Sequence, residues 1–445
     1  MTTAARRIWG WFFFDWASQP YNTLLLTFIF APYITSLLGD GTAAQTVWGF
    51  GIGAAGVLIA VLSPLLGAVA DRCGHRMRFI AFFSVLYVLG AWGLWQAAPG
   101  EVNLWFVMIS FGIGLIGMEF ATTFTNAMLP DLGSRQEIGR ISGSGWAFGY
   151  LGGVIALILV LTLLAEGTTG RTLIGLPPIL GLDPALREGT RAVGPFTAIW
   201  YAVFMIPFFL WVREPRRSDT IGLRAAARHA FPDLRRTLAN LPKQKSLLSF
   251  LISSMLYRDA LNGIYAFGGI YAAGVLGWGV TDVGAFGILA AVTGAIFAWL
   301  GGRADSRFGS RAVVVACLVV LTALAAGIVF VSREAVFGLA VPPESRLPDL
   351  AFYLLGGLIG AAGGAMQASS RTMMVHQADP ARMTEAFGLY ALAGKATSFV
   401  APLSIGIVTA LTGSQSWGIT PLILLFAMGL VLLIRVKPNR DFETA

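Results

Sequence analysis

Charge is what this chain has least of. Asp, Glu, Lys and Arg together make up only 12% of its 445 residues, against 56% hydrophobic residues and a mean hydropathy of +0.72. A water-soluble domain carries about a quarter charged residues, so most of this surface must meet something other than water. Cysteine is nearly absent as well. Cys73 lies in a polar turn and Cys317 inside an apolar run, so neither a disulfide framework nor a thiolate metal cluster is expected. The three histidines, His75, His229 and His376, sit in or beside polar segments, and no His-Glu-x-x-His arrangement occurs. A membrane-embedded enzyme would therefore lack the metal ligands or histidine base it needs. No Gly-x-x-x-x-Gly-Lys-Ser/Thr segment is present, which excludes ATP as an energy source. No metal and no cofactor are expected.

Long apolar runs are abundant. Crossing a bilayer takes about 20 residues of helix. Twelve runs of that order fall near 8–38, 45–70, 78–98, 103–130, 138–165, 194–212, 246–274, 280–301, 312–332, 349–376, 383–411 and 417–436. The expected fold class is an all-α polytopic membrane protein with twelve transmembrane helices. Of the 31 Lys and Arg, 23 fall in segments that would share one side of the membrane, 5 on the other side and 3 inside runs. This positive-inside asymmetry accounts for the net charge of +8 and the pI near 9.8 without nucleic acid as a partner. It places Arg72, Arg76, Arg78, Arg135, Arg140, Arg303, Arg307, Arg311, Arg382 and both termini in the cytoplasm. The first run continues past signal-peptide length without a small-residue cleavage site, so no cleavable signal is expected. The expected location is the bacterial inner (plasma) membrane, with the lipid bilayer as surroundings and a monomer as the working unit. Between the sixth and seventh runs, Arg213 to Lys245 carries nine Arg or Lys against three acids. Alternation of Arg with Leu or Ala over Arg224 to Leu241 predicts a short amphipathic helix along the membrane surface. Glu166 to Pro195 is a Gly- and Pro-rich segment on the opposite side.

The chain is duplicated. Gly67 to Arg76 reads Gly-Ala-Val-Ala-Asp-Arg-Cys-Gly-His-Arg, and Gly301 to Arg311 reads Gly-Gly-Arg-Ala-Asp-Ser-Arg-Phe-Gly-Ser-Arg. Each opens on Gly, places an Asp four residues on, and continues with Arg, Gly and Arg. Asp15, Ser18 and Tyr21 return as Asp259, Asn262 and Tyr265 at an offset of 244; Thr122, Asn126, Gly143 and Gly149 match Gln367, Arg371, Gly388 and Gly394 at 245. Helix order and direction are kept, so the repeats are parallel. The expected domains are a six-helix bundle over 1–212, a cytoplasmic linker over 213–245 and a second bundle over 246–445. A plain polar loop explains either hinge copy alone; two copies at matching positions favour a shared role. Gly67, Asp71, Arg72, Gly74 and Arg76, with Asp305, Arg307, Gly309 and Arg311, form a candidate cytoplasmic gate. Asp71 would accept from backbone N–H groups at the start of a neighbouring helix or pair with Arg135 or Arg140. Ser306 displaces the second Asp, so Asp71 is expected to dominate an asymmetric latch.

Six ionisable residues fall inside runs: Asp15, Glu119, Arg258, Asp259, Arg371 and Lys395. Each costs roughly 2.5–3.5 kcal/mol at the bilayer centre, so they must face a wet cavity or one another. Three acids and three bases sum to zero, as a site for mutual pairing or for a zwitterion would; static pairs between helices are the alternative. Helical spacing places Asp15, Ser18 and Asn22 on one face of the first span, and Asp259 and Asn262 on one face of the seventh. Glu119, Thr122, Thr123 and Asn126 make a polar stripe on the fourth span, as Gln367, Ser370 and Arg371 do on the tenth. Tyr21 and Tyr265 read as packing residues. Gly145, Gly149 and Gly153, and Gly356, Gly360 and Gly364, recur every four residues and predict close helix packing.

Twelve spans in two repeats, the basic linker and the Gly-x-x-x-Asp-Arg-x-Gly-x-Arg hinge at Gly67 to Arg76 resemble the major facilitator superfamily over essentially the full length. Phe14-Asp15-Trp16-Ala17, Asn126 to Asp131, Gly139 to Tyr150, Tyr257-Arg258-Asp259, Ser370-Arg371 and Phe387-Gly388-Leu389-Tyr390 resemble its vacuole-effluxer branch. The resemblance departs from the family hinge at His75, where a basic residue is usual, and at Ser306. It implies that the first, fourth, seventh and tenth helices line a central path, where all four polar stripes fall. It also implies a secondary permease working by alternating access, and the branch's fungal members are associated with amino-acid export. The pathway residues would be Asp15, Ser18, Asn22, Glu119, Asn126, Arg258, Asp259, Asn262, Gln367, Arg371 and Lys395. A small solute such as a neutral amino acid fits the charge balance, with protons carried by Asp15, Glu119 or Asp259. A permease or flippase for a lipid or cell-wall fragment, and a transport-dead sensor, are the alternative functions.

Overall fold

The computed structural model describes residues 2–38, 41–100, 102–167, 169–214, 220–278, 280–342 and 344–437. Of the expected linker cations, Arg216 and Arg217 lie outside the described residues. Ten described stretches are helical, long and apolar enough to cross a membrane: Gly53–Cys73, Arg76–Gln96, Leu104–Asp131, Ile138–Leu164, Glu188–Trp211, Asp282–Phe308, Ser310–Val329, Leu347–Gln377, Pro380–Thr412 and Gln415–Leu433. They correspond to ten of the twelve expected runs. The other two are helical but broken up by polar residues. The first comprises α1 (Thr3–Pro20), a π-helical segment (Tyr21–Phe28) and α2 (Phe30–Leu38), and carries Asp15, Ser18, Gln19 and Asn22. The seventh carries Arg258, Asp259 and Asn262. The chain is an all-α integral membrane protein.

The remaining principal helices are α3 (Gly41–Cys73), α4 (Arg76–Gly93), α5 (Leu104–Asn126), α6 (Ile138–Leu159), α7 (Val193–Phe204), α8 (Ile206–Trp211), α9 (Leu223–Asn240) and α10 (Lys245–Leu276). They continue as α11 (Val280–Phe308), α12 (Ser310–Val329), α13 (Leu347–Gln377), α14 (Met383–Ala396), α15 (Val400–Thr412) and α16 (Thr420–Leu433). A small hairpin, β1 (Ala335–Val336) against β2 (Leu339–Ala340), joins α12 to α13. The first expected span is not one straight helix. Pro20 supplies no N–H, and past it the ladder widens to i→i−5, as in the Ile29 N–H donated to Leu24 O at 3.0 Å.

Packing divides the chain into two compact units. One comprises Met1–Ser63, Ala70–Leu132 and Phe148–Leu223; the other comprises Pro64–Val69, Gly133–Ala147 and Arg224–Ala445. Two short pieces of the first repeat are thus built into the second unit. The first unit has an aromatic core: Tyr87 and Tyr201 stack at 3.8 Å, the Tyr21 hydroxyl donates to Phe111 O at 2.7 Å, and Trp11 Nε1 donates to Thr125 O at 2.9 Å. Tyr21 is a packing residue, as its sequence context suggested. Gly149, Gly152 and Gly153 of α6 let α1 approach closely, with Trp16, Gln19 and Thr23 filling the space where side chains would stand. In the second unit the Gly356, Gly360 and Gly364 stripe of α13 lies on Phe286, Ala290 and Gly294 of α11.

Glu166 is 4% exposed, accepts from the Thr190 hydroxyl at 2.7 Å and pairs with Arg187 at 3.2 Å. Arg191 donates twice to Trp95 O, at 3.0 and 2.8 Å. Charges in an otherwise irregular loop thereby pin it to the helix ends.

Candidate functional site

The middle of α10 reads Tyr257-Arg258-Asp259. Successive helical residues point about 100° apart, so each of the three meets a different neighbour. The buried Tyr257 hydroxyl bonds to Ser370 Oγ of α13, and Ser370 Oγ lies 2.7 Å from the Tyr390 hydroxyl of α14. Arg258 donates Nη1 to the Tyr390 carbonyl at 2.8 Å and lays its guanidinium over the Tyr390 ring at 4.2 Å. Gly394 leaves room for it, since a Cβ there would stand 2.6 Å from the guanidinium. One network therefore joins α10, α13 and α14.

Asp259 reaches a break between helices. α14 ends at Ala396 and α15 starts at Val400, which leaves the first amides of α15 without intrahelical acceptors. Asp259 Oδ2 accepts one of them, Ala401 N–H, at 3.0 Å, and a carboxylate is favoured there by the helix dipole. The residue is 2% exposed, and its other oxygen, Oδ1, is buried with no hydrogen-bond partner among the described residues. An acceptor buried unsatisfied costs free energy.

The other pathway candidates are distributed differently. Arg371 of α13 is 3% exposed; it donates Nε to Ser142 Oγ at 2.9 Å and Nη2 to Ser142 O at 2.7 Å, with Trp146 at 5.5 Å. It is therefore fastened to the start of α6. Gln367 and Lys395 are half-buried on α13 and α14, and Asn262 is exposed one turn beyond Asp259. In the first unit, Asp15 is half-buried against Gly149, with Ser18 buried beside it and Asn22 in the π segment. Glu119 and Asn126 are half-buried on α5. The hydroxyls of Thr122 and Thr123 turn back onto their own helix, bonding Met118 O at 2.8 Å and Glu119 O at 3.0 Å. Part of the polar stripe on that span is thus spent internally.

The two hinges share a backbone feature. Gly74 at φ +64° and Gly309 at φ +84° occupy conformations that favour glycine. Their side chains diverge. In the first hinge the turn folds Arg76 back over Asp71, five residues earlier, at 2.9 Å, with both side chains 4% exposed. Arg76 also meets Asp131 at 3.4 Å and Ala127 O at 3.3 Å, while Glu214 accepts the Arg76 amide at 2.9 Å. Arg140, one of the cations expected near Asp71, lies 3.6 Å from Glu137. Arg72 contributes its carbonyl, which accepts Ile221 N–H at 3.2 Å. Gly67 closes on α14, where a Cβ would come 2.5 Å from Thr384 O.

In the second hinge it is Asp305 that sits at a helix start. It is 4% exposed, and a Cβ on Gly139 of α6 would stand 2.7 Å from its Oδ1. Ser306 does not spoil this seat. Its Oγ accepts Arg140 N–H at 3.0 Å and satisfies one of the free amides of α6. Arg311 donates to Leu433 O at 3.1 Å and Ile434 O at 3.2 Å, capping the end of α16, and Arg307 lies 5.3 Å from the Phe308 ring. Gly302 and Gly143 allow α11 and α6 to touch backbone to backbone; a Cβ on Gly302 would come 2.6 Å from Gly139 O. Just before α6, Ser134 donates its amide and hydroxyl to the exposed Glu137 carboxyl at 3.0 and 2.8 Å, which holds that carboxyl below its ordinary pKa.

Tyr257, Ser142, Tyr390 and the Ala401 amide complete these sites without having been singled out from the sequence as site residues. Tyr257, Ser142 and Tyr390 did fall in the family-like motifs. Among the described residues no cluster of His, Cys, Asp and Glu could hold a metal ion.

Comparison with known proteins agrees with this architecture. A family model described as vacuole effluxer Atg22 like matches residues 42–445. An MFS-type transporter of Bacillus subtilis (strain 168), YxiO, is 25% identical over 445 residues, covering 98% of this chain and 96% of its own. Autophagy-related protein 22 of Coccidioides immitis (strain RS) is 25% identical over 68% of this chain but only 49% of its own, so the chain spans about half the length of that relative. The human organic anion transporter MFSD10 (TETRAN) superposes with a TM-score of 0.69 at 17% identity, covering 97% of this chain and 100% of that one. The fold is that of the major facilitator superfamily, and the chain is a secondary transporter rather than an enzyme, belonging to the vacuole effluxer Atg22-like family.

Proposed function

We propose that this transporter moves a small zwitterion, a neutral amino acid being the simplest, in exchange with or alongside protons, and that Asp259 is the group through which the two are linked. The observation that carries this reading is the Asp259 carboxylate, buried to 2% exposure with one oxygen on the Ala401 amide and the other without a partner. An unsatisfied carboxylate oxygen in a low-dielectric setting is stabilised by a proton or by a substrate ammonium. Arg258, its neighbour in the chain, uses Nη1 on Tyr390 and retains further N–H donors for a carboxylate. Adjacent opposite charges on one helix suit the two ends of a zwitterion.

Alternating access supplies the cycle. The hinges form the gate, lying in the cytoplasm of a bacterial inner-membrane protein whose termini share that side. Its closed state includes the glycine seam of α6 on α11, the Asp305 and Ser306 seat at the start of α6, and the Arg371–Ser142 bonds. Small residues let these surfaces part without tearing side chains from a packed core.

Reconstitution into vesicles tests the reading. With a pH gradient imposed, at least one labelled neutral amino acid should accumulate, and a protonophore should abolish the accumulation. Flux indifferent to the gradient would refute coupling, and absence of flux across the neutral amino acids would refute the substrate class.

A further inference from the structure

α9 lies in the chain between the sixth and seventh spans and has two distinct surfaces. Ala226, Ala230 and Leu234, one turn apart, are 0%, 4% and 8% exposed and face protein. Alongside them Leu223, Phe231 and Leu238 are 60%, 67% and 44% exposed. At about 100° per residue, Leu223, Ala227, Leu238 and Phe231 share an arc of about 80° whose near edge overlaps the buried face at Leu234, and Arg224, Arg235 and Arg228 occupy roughly the next 40°. All three arginines are exposed. The only acid of the helix, Asp233, falls on the far edge of the buried face. An apolar strip bordered by cations of one sign is the pattern of a helix seated at a membrane surface, with apolar side chains among acyl chains and guanidinium groups at headgroup level.

The chain also keeps α9 close to the bilayer. A single 3-10 turn (Leu241–Lys243) and Gln244 separate it from α10, so its end lies within about 18 Å of the first residue of a membrane helix. A nucleic acid would meet the arginines but leave Phe231 in water.

We infer that α9 is a docking element for anionic phospholipid, with Phe231, Leu223 and Leu238 inserted in the leaflet and Arg224, Arg228 and Arg235 binding the headgroups. The inference is independent of the cargo. Both native cysteines are buried, so a fluorophore can be attached at Phe231→Cys in the full-length protein, with Arg236→Cys on the opposite side of the helix as control. In phosphatidylcholine vesicles, headgroup spin-labelled lipid should quench the probe at 231 and spare the one at 236. Adding phosphatidylglycerol should strengthen quenching at 231 by about twofold or more. The variant Arg224→Gln, Arg228→Gln, Arg235→Gln should lose that increment, and high salt should suppress it in the parent protein. No quenching at 231 overturns docking. Equal quenching with and without phosphatidylglycerol, or an increment that survives both high salt and the triple change, overturns recognition of anionic lipid.

Discussion

The two hinges descend from one pattern and serve different partners. In the first, Asp71 is neutralised by Arg76, and Asp131 and Glu214 surround the same turn with further acceptors. In the second, Arg311 is committed to the carbonyls of Leu433 and Ile434, and Asp305 lies against the start of α6 with its Oδ2 unpartnered among the described residues. One copy is an ionic staple within its own unit. The other is an anion at a helix terminus, a contact that can be broken without separating buried opposite charges. Duplication preserved the turn, set by Gly74 and Gly309, and left the charges free to specialise.

The difference is open to attack by substitution. The largest effect is expected at Arg76. Arg76→Ala removes a buried cation shared by Asp71 and Asp131, which should cost about 3–5 kcal/mol in unfolding free energy. Arg311→Ala removes only bonds to carbonyls and should cost about 1–3 kcal/mol. Equal losses in denaturant titrations of the two variants would remove the distinction.

A smaller contrast is expected between the aspartates. Asp71→Asn gives up a charge-assisted bond to Arg76 and should destabilise by about 1.5–3 kcal/mol. Asp305→Asn keeps the shape of a group that already has an unsatisfied oxygen, so its loss should be under about 1 kcal/mol. Its main effect should be on gating, read as faster labelling of a cysteine placed in the α6–α11 seam. Slower labelling, or a larger stability loss at Asp305 than at Asp71, would reverse the assignment.

The smallest effect is expected at Glu137, whose depressed carboxyl depends on the Ser134 amide and hydroxyl. A depressed carboxyl adds stability above its unfolded pKa of about 4.3 and loses it as pH falls through the lower folded value. Glu137→Gln should therefore melt slightly below the parent at pH 7, and the two curves should converge below about pH 4. A gap that widens on acidification would contradict this.

Much of this architecture was legible in the residues. Apolar runs marked the helices because lipid leaves the backbone no other option, and the glycine periods marked the close crossings. The first and seventh spans were legible too, although Asp15 to Asn22 and Arg258 to Asn262 dilute their apolar character. The site was less so. Tyr257 meets Ser370 and Tyr390 from distant parts of the chain, and nothing local to Tyr257 announces that meeting. The break before α15 did leave a local trace. Thr397 and Ser398 interrupt an apolar stretch, and Pro402 is tolerated only near a helix start. The pairing of Asp71 with Arg76 was not singled out from the sequence, since it depends on a left-handed turn at Gly74 that brings together two residues five apart.

The most direct test of the role given to Asp259 compares two kinds of flux for Asp259→Asn in proteoliposomes. Asparagine can still accept the Ala401 amide through its carbonyl but cannot take up and release a proton. Exchange of labelled for unlabelled substrate across the membrane should persist, while proton-driven accumulation should fall to the level seen with protonophore. Accumulation that survives in the variant at the parent's rate would contradict the assignment.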